Sequence, residues 1–233
     1  DTVTIGLERA PTNLDIRNTA GSAIDQVLIG NVYEGLVARD EHNQVVPAIA
    51  KTWDVSDDGT TYTFHLNDGM TFSNGDKLDA DDVAWSINEL VTKQYHDADS
   101  LVNFVSVKAS DPNTVELKLS APYANLLWVL TGRPGLVFDK DAKYDAKTQA
   151  IGSGPYTVEK FVTNSSITLK ANPNYWGANK AKTDTVVVRY FTDDNAAVNA
   201  LKSGDVQVLA PISENLAEPF TKDSDHYVVK AGD

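Results

Sequence analysis

At 233 residues, with 42% hydrophobic and 23% charged residues, the chain is long enough to bury a full core, as one large domain or two small ones. A net charge of −13, from 33 acidic against 20 basic residues, disfavours binding to phosphate backbones or anionic lipid, so nucleic acid is set aside as a partner. Cysteine is absent, which removes disulfides, thiolate metal sites and cysteine nucleophiles, and no apolar run approaches the ~20 residues that span a bilayer.

Thr2 to Leu7 alternates β-favouring residues with Ile5 and Leu7 and predicts a first strand. A loop follows through Pro11, Thr12, Asn13, Leu14 and Asp15. From Ser22 the apolar residues Ile24, Val27, Leu28, Val32 and Leu36 fall at helical spacing, with Gly35 as the stop. In open α/β sheets a ligand sits beyond the carboxyl end of such a strand. Pro11, Thr12, Asn13 and Leu14, with Asp25 and Gln26 at the helix start, are therefore candidate binding residues; alternatively, Pro11 and Asn13 only shape a turn.

Trp53 and Val55, then Tyr62, Phe64 and Leu66, alternate around Asp57-Asp58-Gly59 and predict an antiparallel hairpin. Asp54, Ser56 and Asp58 also have the spacing of an EF-hand loop, but His65 stands where the bidentate Glu is needed, so no calcium site is expected. Asp79 reads as the cap of a helix whose acidic first turn, Asp81 and Asp82, complements the helix dipole. Val83, Ile87, Leu90 and Val91 form its buried stripe. A hairpin over Val105 to Leu119 turns at Ser110-Asp111-Pro112-Asn113, and an apolar helix over Tyr123 to Leu130 ends at Thr131-Gly132-Arg133-Pro134-Gly135.

The stretch Ile151-Gly152-Ser153-Gly154-Pro155-Tyr156 joins backbone freedom to a fixed φ, so the chain turns sharply there and enters a strand. A second strand, Ile167 to Leu169, follows the turn Thr163 to Ser166, and Asn172-Pro173-Asn174-Tyr175-Trp176-Gly177 closes the segment on an aromatic anchor. Thr185 to Phe191, a helix opened by Asp193-Asp194 and running to Gly204, and Val206 to Leu209 form a strand-helix-strand unit, which implies a parallel connection.

Enzyme signatures are missing. His42, His65, His96 and His226 show no i, i+4 pair, Gly152-Ser153-Gly154 lacks the glycine spacing of a nucleophile elbow, and no Gly-Lys-Ser/Thr phosphate loop occurs. The residues point to binding rather than catalysis, with no cofactor.

The turn at 151–156 and the Asn-x-x-Tyr-Trp-Gly segment, together with Val32-Tyr33-Glu34-Gly35-Leu36, Pro47-Ala48-Ile49-Ala50, Asp57-Asp58-Gly59-Thr60, Phe72-Ser73-Asn74-Gly75-Asp76 and Leu201-Lys202-Ser203-Gly204-Asp205, occur in one order. This series resembles the solute-binding proteins of ABC importers in the dipeptide, oligopeptide and nickel-binding family. The resemblance implies an α/β fold of the type II periplasmic-binding-protein kind: a first lobe with a mixed sheet, helices and a hairpin-rich insert, the second lobe lying outside this sequence. It places residues 1–45 and 166–233 in one subdomain and 46–165 in an inserted one. It further implies capture of peptides outside the cytoplasmic membrane, in the periplasm or on a lipid anchor, and delivery to an ABC permease. The same fold would also serve a nickel chelate, an oligosaccharide or another small solute, or a docking module without cargo. An exposed lobe interface would favour self-association, and a lobe alone would hold its ligand weakly.

Arg133 is the one cation in a loop of small residues. In the resembled family an arginine before a proline at this place faces the cleft, so Arg133 and Pro134 are candidate ligand residues, the guanidinium suiting a peptide carboxylate. The alternative is an interaction with the carbonyl end of the preceding helix. Trp128, just ahead of Arg133, is a candidate cleft wall, although tryptophans at such spacing are more often core.

Overall fold

The computed structural model describes residues 1–231. In chain order the first elements are β1 (Thr2–Leu7), α1 (Ser22–Leu28), β2 (Val37–Arg39), β3 (Val45–Pro47), β4 (Ala50–Val55), β5 (Thr61–Leu66), α2 (Ala80–Thr92), β6 (Phe104–Asp111) and β7 (Thr114–Leu119). Then come α3 (Leu126–Leu130), β8 (Tyr156–Val162), β9 (Ser166–Ala171), β10 (Thr185–Tyr190), α4 (Asp194–Ser203), β11 (Val208–Ala210) and α5 (Glu214–Lys222). These fall into two compact units. The smaller holds Asp1–Thr12, Glu159–Lys170 and the chain from Thr183 onward; the larger holds Asn13–Val158 and Ala171–Lys182.

The division does not fall at residue 45. Residues 13–45 go with the larger unit because their backbone is bonded into it: Leu36 N–H donates to the Gly135 carbonyl (3.0 Å), Val137 to Glu34 (3.0 Å) and Gly154 to Val32 (3.0 Å). Backbone donors and acceptors in so buried a segment need partners, and 135–154 supply them.

In the smaller unit the strands run in the order β11-β1-β10-β9-β8. β1 is parallel to both β10 and β11, with Ile5 opposite Val188 on one side and Val208 on the other, so α4 carries the chain across β1 as the strand-helix-strand pattern requires. Asp193 caps α4 by accepting from Asn195 N–H (2.9 Å), and Gly204, at φ 83°, ends it. β9 pairs antiparallel with β10. α5 was not anticipated: only Ala217 and Phe220 are buried in it, and Pro219 lies inside.

The larger unit centres on the antiparallel sheet β4-β5-β7-β6, against which α2 packs. Tyr62, Phe64 and Leu66 alternate onto the buried face of β5, meeting Val115 and Leu117 of β7 and Val83 and Ile87 of α2. Asp79 caps α2 in a full capping box: its carboxylate accepts from Asp81 N–H (3.0 Å) while Asp82 accepts from Asp79 N–H (3.0 Å). β2 and β3 form a separate short hairpin.

Two expected helices are shorter than their apolar patterns. α1 stops at Leu28, because Ile29 turns extended and Gly30 takes φ 81°. Val32 and Leu36 are buried as expected, but from a turn, so the spacing reported burial and not helix. α3 begins only at Leu126, the residues from Tyr123 forming a turn ahead of it.

Candidate functional site

Three segments of the larger unit meet at Arg133. The loop ahead of α1 is closed by Asn13, whose Oδ1 accepts from Asp15 N–H (2.8 Å) and Thr19 Oγ1 (2.7 Å). Leu14 and Ile16 point into the core from this loop. Its carbonyls are thereby held in place, and the Arg133 side chain, 3% exposed, collects them. Arg133 Nη1 donates to the Ile16 carbonyl (2.8 Å) and to that of Thr19, Nη2 donates to Gly21 (2.8 Å), and Nε donates to Asp25 Oδ1 (2.6 Å). A planar fork of donors suits four acceptors at fixed angles, where a single ammonium would not. Burial holds the Asp25 carboxyl above its ordinary value, against the pull of the Arg133 charge.

Beside this strut lies an open hollow of about 610 Å³ whose polar lining is Ser22, Asp25, Gln26, Arg39, Asp97 and Arg133. It is wide open to solvent, and both signs of charge line it. Arg39, at the end of β2, stacks on the indole of Trp128, 4.5 Å from the ring centroid, and Trp128 is 41% exposed. Asp97, with φ 66°, has the ring of His96 near its carboxylate (3.3 Å), and its charge helps to raise the Asp25 carboxyl.

Of the residues anticipated from sequence, the structure brings Asp25, Gln26 and Arg133 to this hollow. Trp128 supports it from beneath Arg39. Leu14 is fully enclosed and Pro134 is buried, so neither side chain is placed to touch a solute, and Asn13 is engaged in its own loop. Pro11, buried, and Thr12, exposed, belong to the smaller unit. The alternative for Arg133 is also corrected: its carbonyl partners are those of Ile16, Thr19 and Gly21, not the end of α3. Arg39 and Asp97 were missed; nothing local marks either, since each reaches the hollow through long-range packing.

The motif residues converge elsewhere. Ser153 Oγ (2.9 Å), Trp176 Nε1 (2.9 Å) and Tyr175 OH (2.6 Å) all donate to the carboxylate of Glu34. Burial raises the Glu34 carboxyl above its ordinary value and the three bonds pull it back part of the way. The Tyr175 hydroxyl is raised by burial and then by Glu34. Any Cβ at Gly152 or Gly154 would run into the carbonyls of Val32 or Asn31, so only glycine lets the two backbones meet. The Gly-Ser-Gly-Pro-Tyr and Tyr-Trp-Gly segments are thus two halves of a staple on Glu34.

The EF-hand-like positions are engaged otherwise. Asp54 meets His65 Nε2 (2.8 Å), and Asp58 accepts from Ser56 and Thr60. Among the described residues no group of three or more His, Cys, Asp or Glu could hold a metal ion, and no helix is long and apolar enough to cross a membrane.

Comparison with known proteins gives these features a family. The chain is 35% identical over 208 residues to Protein XP55 of Streptomyces lividans, covering 86% of this chain and 38% of that one. It is 28% identical over 232 residues to Di/tripeptide-binding protein 4 of Pseudomonas aeruginosa, covering 86% and 43%. The structure of NikZ from Campylobacter jejuni in complex with Ni(L-His) superposes with a TM-score of 0.84 at 25% identity, over 95% of this chain and 45% of that one. The chain thus spans less than half the length of these relatives, and its mixed α/β architecture is that of type II periplasmic binding proteins. The family model for bacterial extracellular solute-binding proteins, family 5 (middle), matches residues 44–232, and the chain belongs to that family.

Proposed function

We propose that this chain supplies one wall of the ligand site of an extracytoplasmic solute-binding protein that captures short peptides and hands them to an ABC permease. The observation that carries the reading is the open hollow where Asp25, Gln26, Arg39, Asp97 and Arg133 present charges of both signs at the scale of a small solute. Likeness to Di/tripeptide-binding protein 4 supports a peptide cargo. Arg133 and Asp25 act as a fixed frame, Gln26 and Arg39 as adaptable contacts, and Trp128 as their platform. Asn13, Leu14 and Pro134 shape the frame from behind.

A second reading, a metal chelate as cargo, is supported by the likeness to NikZ in complex with Ni(L-His). Native mass spectrometry separates them: the chain is mixed with di- and tripeptides, a nickel-histidine chelate and short oligosaccharides, and the retained mass is read. Weak retention of peptide mass, seen only at high peptide concentration, is the expected result. Retention of nickel-histidine mass alone would replace the cargo.

A further inference from the structure

The smaller unit leaves one edge of its sheet open. β11 lies last in the strand order, with β1 on one side and no strand on the other among the described residues. Alternate residues of a parallel strand bond to the neighbour, and Gln207 N–H donates to the Thr4 carbonyl (2.9 Å), so Val208 and Ala210 turn their backbone groups outward. Pro211 ends the edge, which therefore offers a strand of three residues. Proteins blunt such edges with charge or cover them, yet Val208 is 46% exposed. A hollow of about 390 Å³ runs beside it, walled by Leu209, Ile212, Phe220 and residues 226–230. Tyr227-Val228-Val229-Lys230 has the composition of a strand but forms none within the chain. Tyr227 is anchored edge-on against Phe220, 4.7 Å between centroids, while Val228, 84% exposed, and Val229 stand in solvent. An unpaired edge and an unpaired strand-forming segment thus line one hollow.

We propose that this hollow is an interface between two copies of the chain, in which residues 227–230 of each copy add as an antiparallel strand to β11 of the other. Both pieces line the same hollow, so a two-fold axis through it presents each segment to the opposite edge, and the contact closes as a dimer. With Val228 opposite Val208 the exposed valines cover one another, and Lys230 arrives at the Asp205 end of the edge. The other charges nearby are engaged within one copy: Glu218 pairs with Lys222 (2.7 Å) and Asp223 meets His226 Nδ1 (2.8 Å). Asp205 and Lys230 are in no ion pair among the described residues. A parallel arrangement would carry Lys230 to Ala210, so charge complementarity selects the antiparallel one and a second copy as its occupant. The net charge of −13 repels copies at long range, so the contact stands on the strand pairing and these two ion pairs. All of its residues belong to the smaller unit, and it does not depend on the cargo.

The test is sedimentation velocity of the chain without added ligand, over a wide range of concentration, with amide exchange read by NMR. A monomer–dimer equilibrium is expected, with the N–H groups of Val208 and Val228 protected only where dimer is present. Asp205→Lys and Lys230→Asp each occur twice in a two-fold contact and should each weaken the dimer by roughly tenfold, while the two together should return it to near the parent value. Val228→Asp should leave a monomer. Val228 is exposed within one copy, so an unchanged amide fingerprint verifies that this variant is folded. A monomer at every concentration would overturn the proposal. So would a dimer that Val228→Asp leaves intact, or a double charge reversal that weakens the dimer as much as the single ones. Protection of Val208 in a monomer would put residues 227–230 on β11 of their own copy and overturn it as well.

Discussion

Arg133 illustrates how one side chain fixes a site. It ties the loop over 16–21 and the start of α1 to the turn after α3, through four acceptors. Removing it, as in Arg133→Met, strands a half-buried carboxylate and the carbonyls of Ile16 and Thr19, and a loss of about 3 kcal/mol is expected. Arg133→Lys should lose less, since the charge stays while the fork is gone. Urea unfolding measures both; a methionine variant as stable as the parent would contradict the strut. Asp82 makes a second prediction. It is 3% exposed, and burial pushes its carboxyl up to about 6, although it accepts from the backbone of Asp79 and Lys140. Because the folded value lies above the unfolded one, this group's contribution to stability is complete at low pH and is lost as pH rises through about 6. Carbon NMR of the Asp82 carboxyl should show a midpoint near there; a midpoint in the ordinary aspartate range would refute it. At this scale the sequence was half legible. Arg133 stood out as a lone cation among small residues, but a backbone carbonyl leaves no mark in a sequence, so its true partners did not. Arg39 carried no signal, since what distinguishes it is a tryptophan on another element.

At the level of elements, local chemistry was readable wherever turns and caps dictate the chain. The hairpins at Asp57-Asp58-Gly59 and Ser110 to Asn113, and the caps Asp79 and Asp193, appear where their residues predict. Asp79→Ala should cost about 1 kcal/mol of stability in denaturant unfolding, with the loss traced to α2 by amide exchange. What was unreadable depends on tertiary context: the early end of α1 at Gly30, the three-residue strands β2 and β3, and α5 with its sparse apolar face. The motif at 151–177 was legible as a landmark but not as a device. Its residues staple the turn before β8 and the segment after β9 to Glu34. Tyr175→Phe removes the 2.6 Å bond and is expected to cost about 1–3 kcal/mol. It also removes a bond that favours the ionised carboxylate, so the Glu34 carboxyl should move further up; a downward move, or none, would contradict the staple.

For the molecule as a whole, packing and recognition fall to different residues. Membership of the solute-binding family explains why the motif residues serve packing, while the hollow, with no motif of its own, carries the proposed recognition. A family shares its scaffold and varies its cargo, so cargo is argued from the side chains that line the site. The most direct test is amide NMR mapping of trialanine binding across the chain. The expected result is a set of saturable shifts gathered on Ser22 to Ile29, Arg39 and Gly132–Arg133, the lining of the hollow and its support, with the Glu34 staple unmoved. Saturable shifts gathered instead on the smaller unit, around Val208 and Phe220, would contradict it.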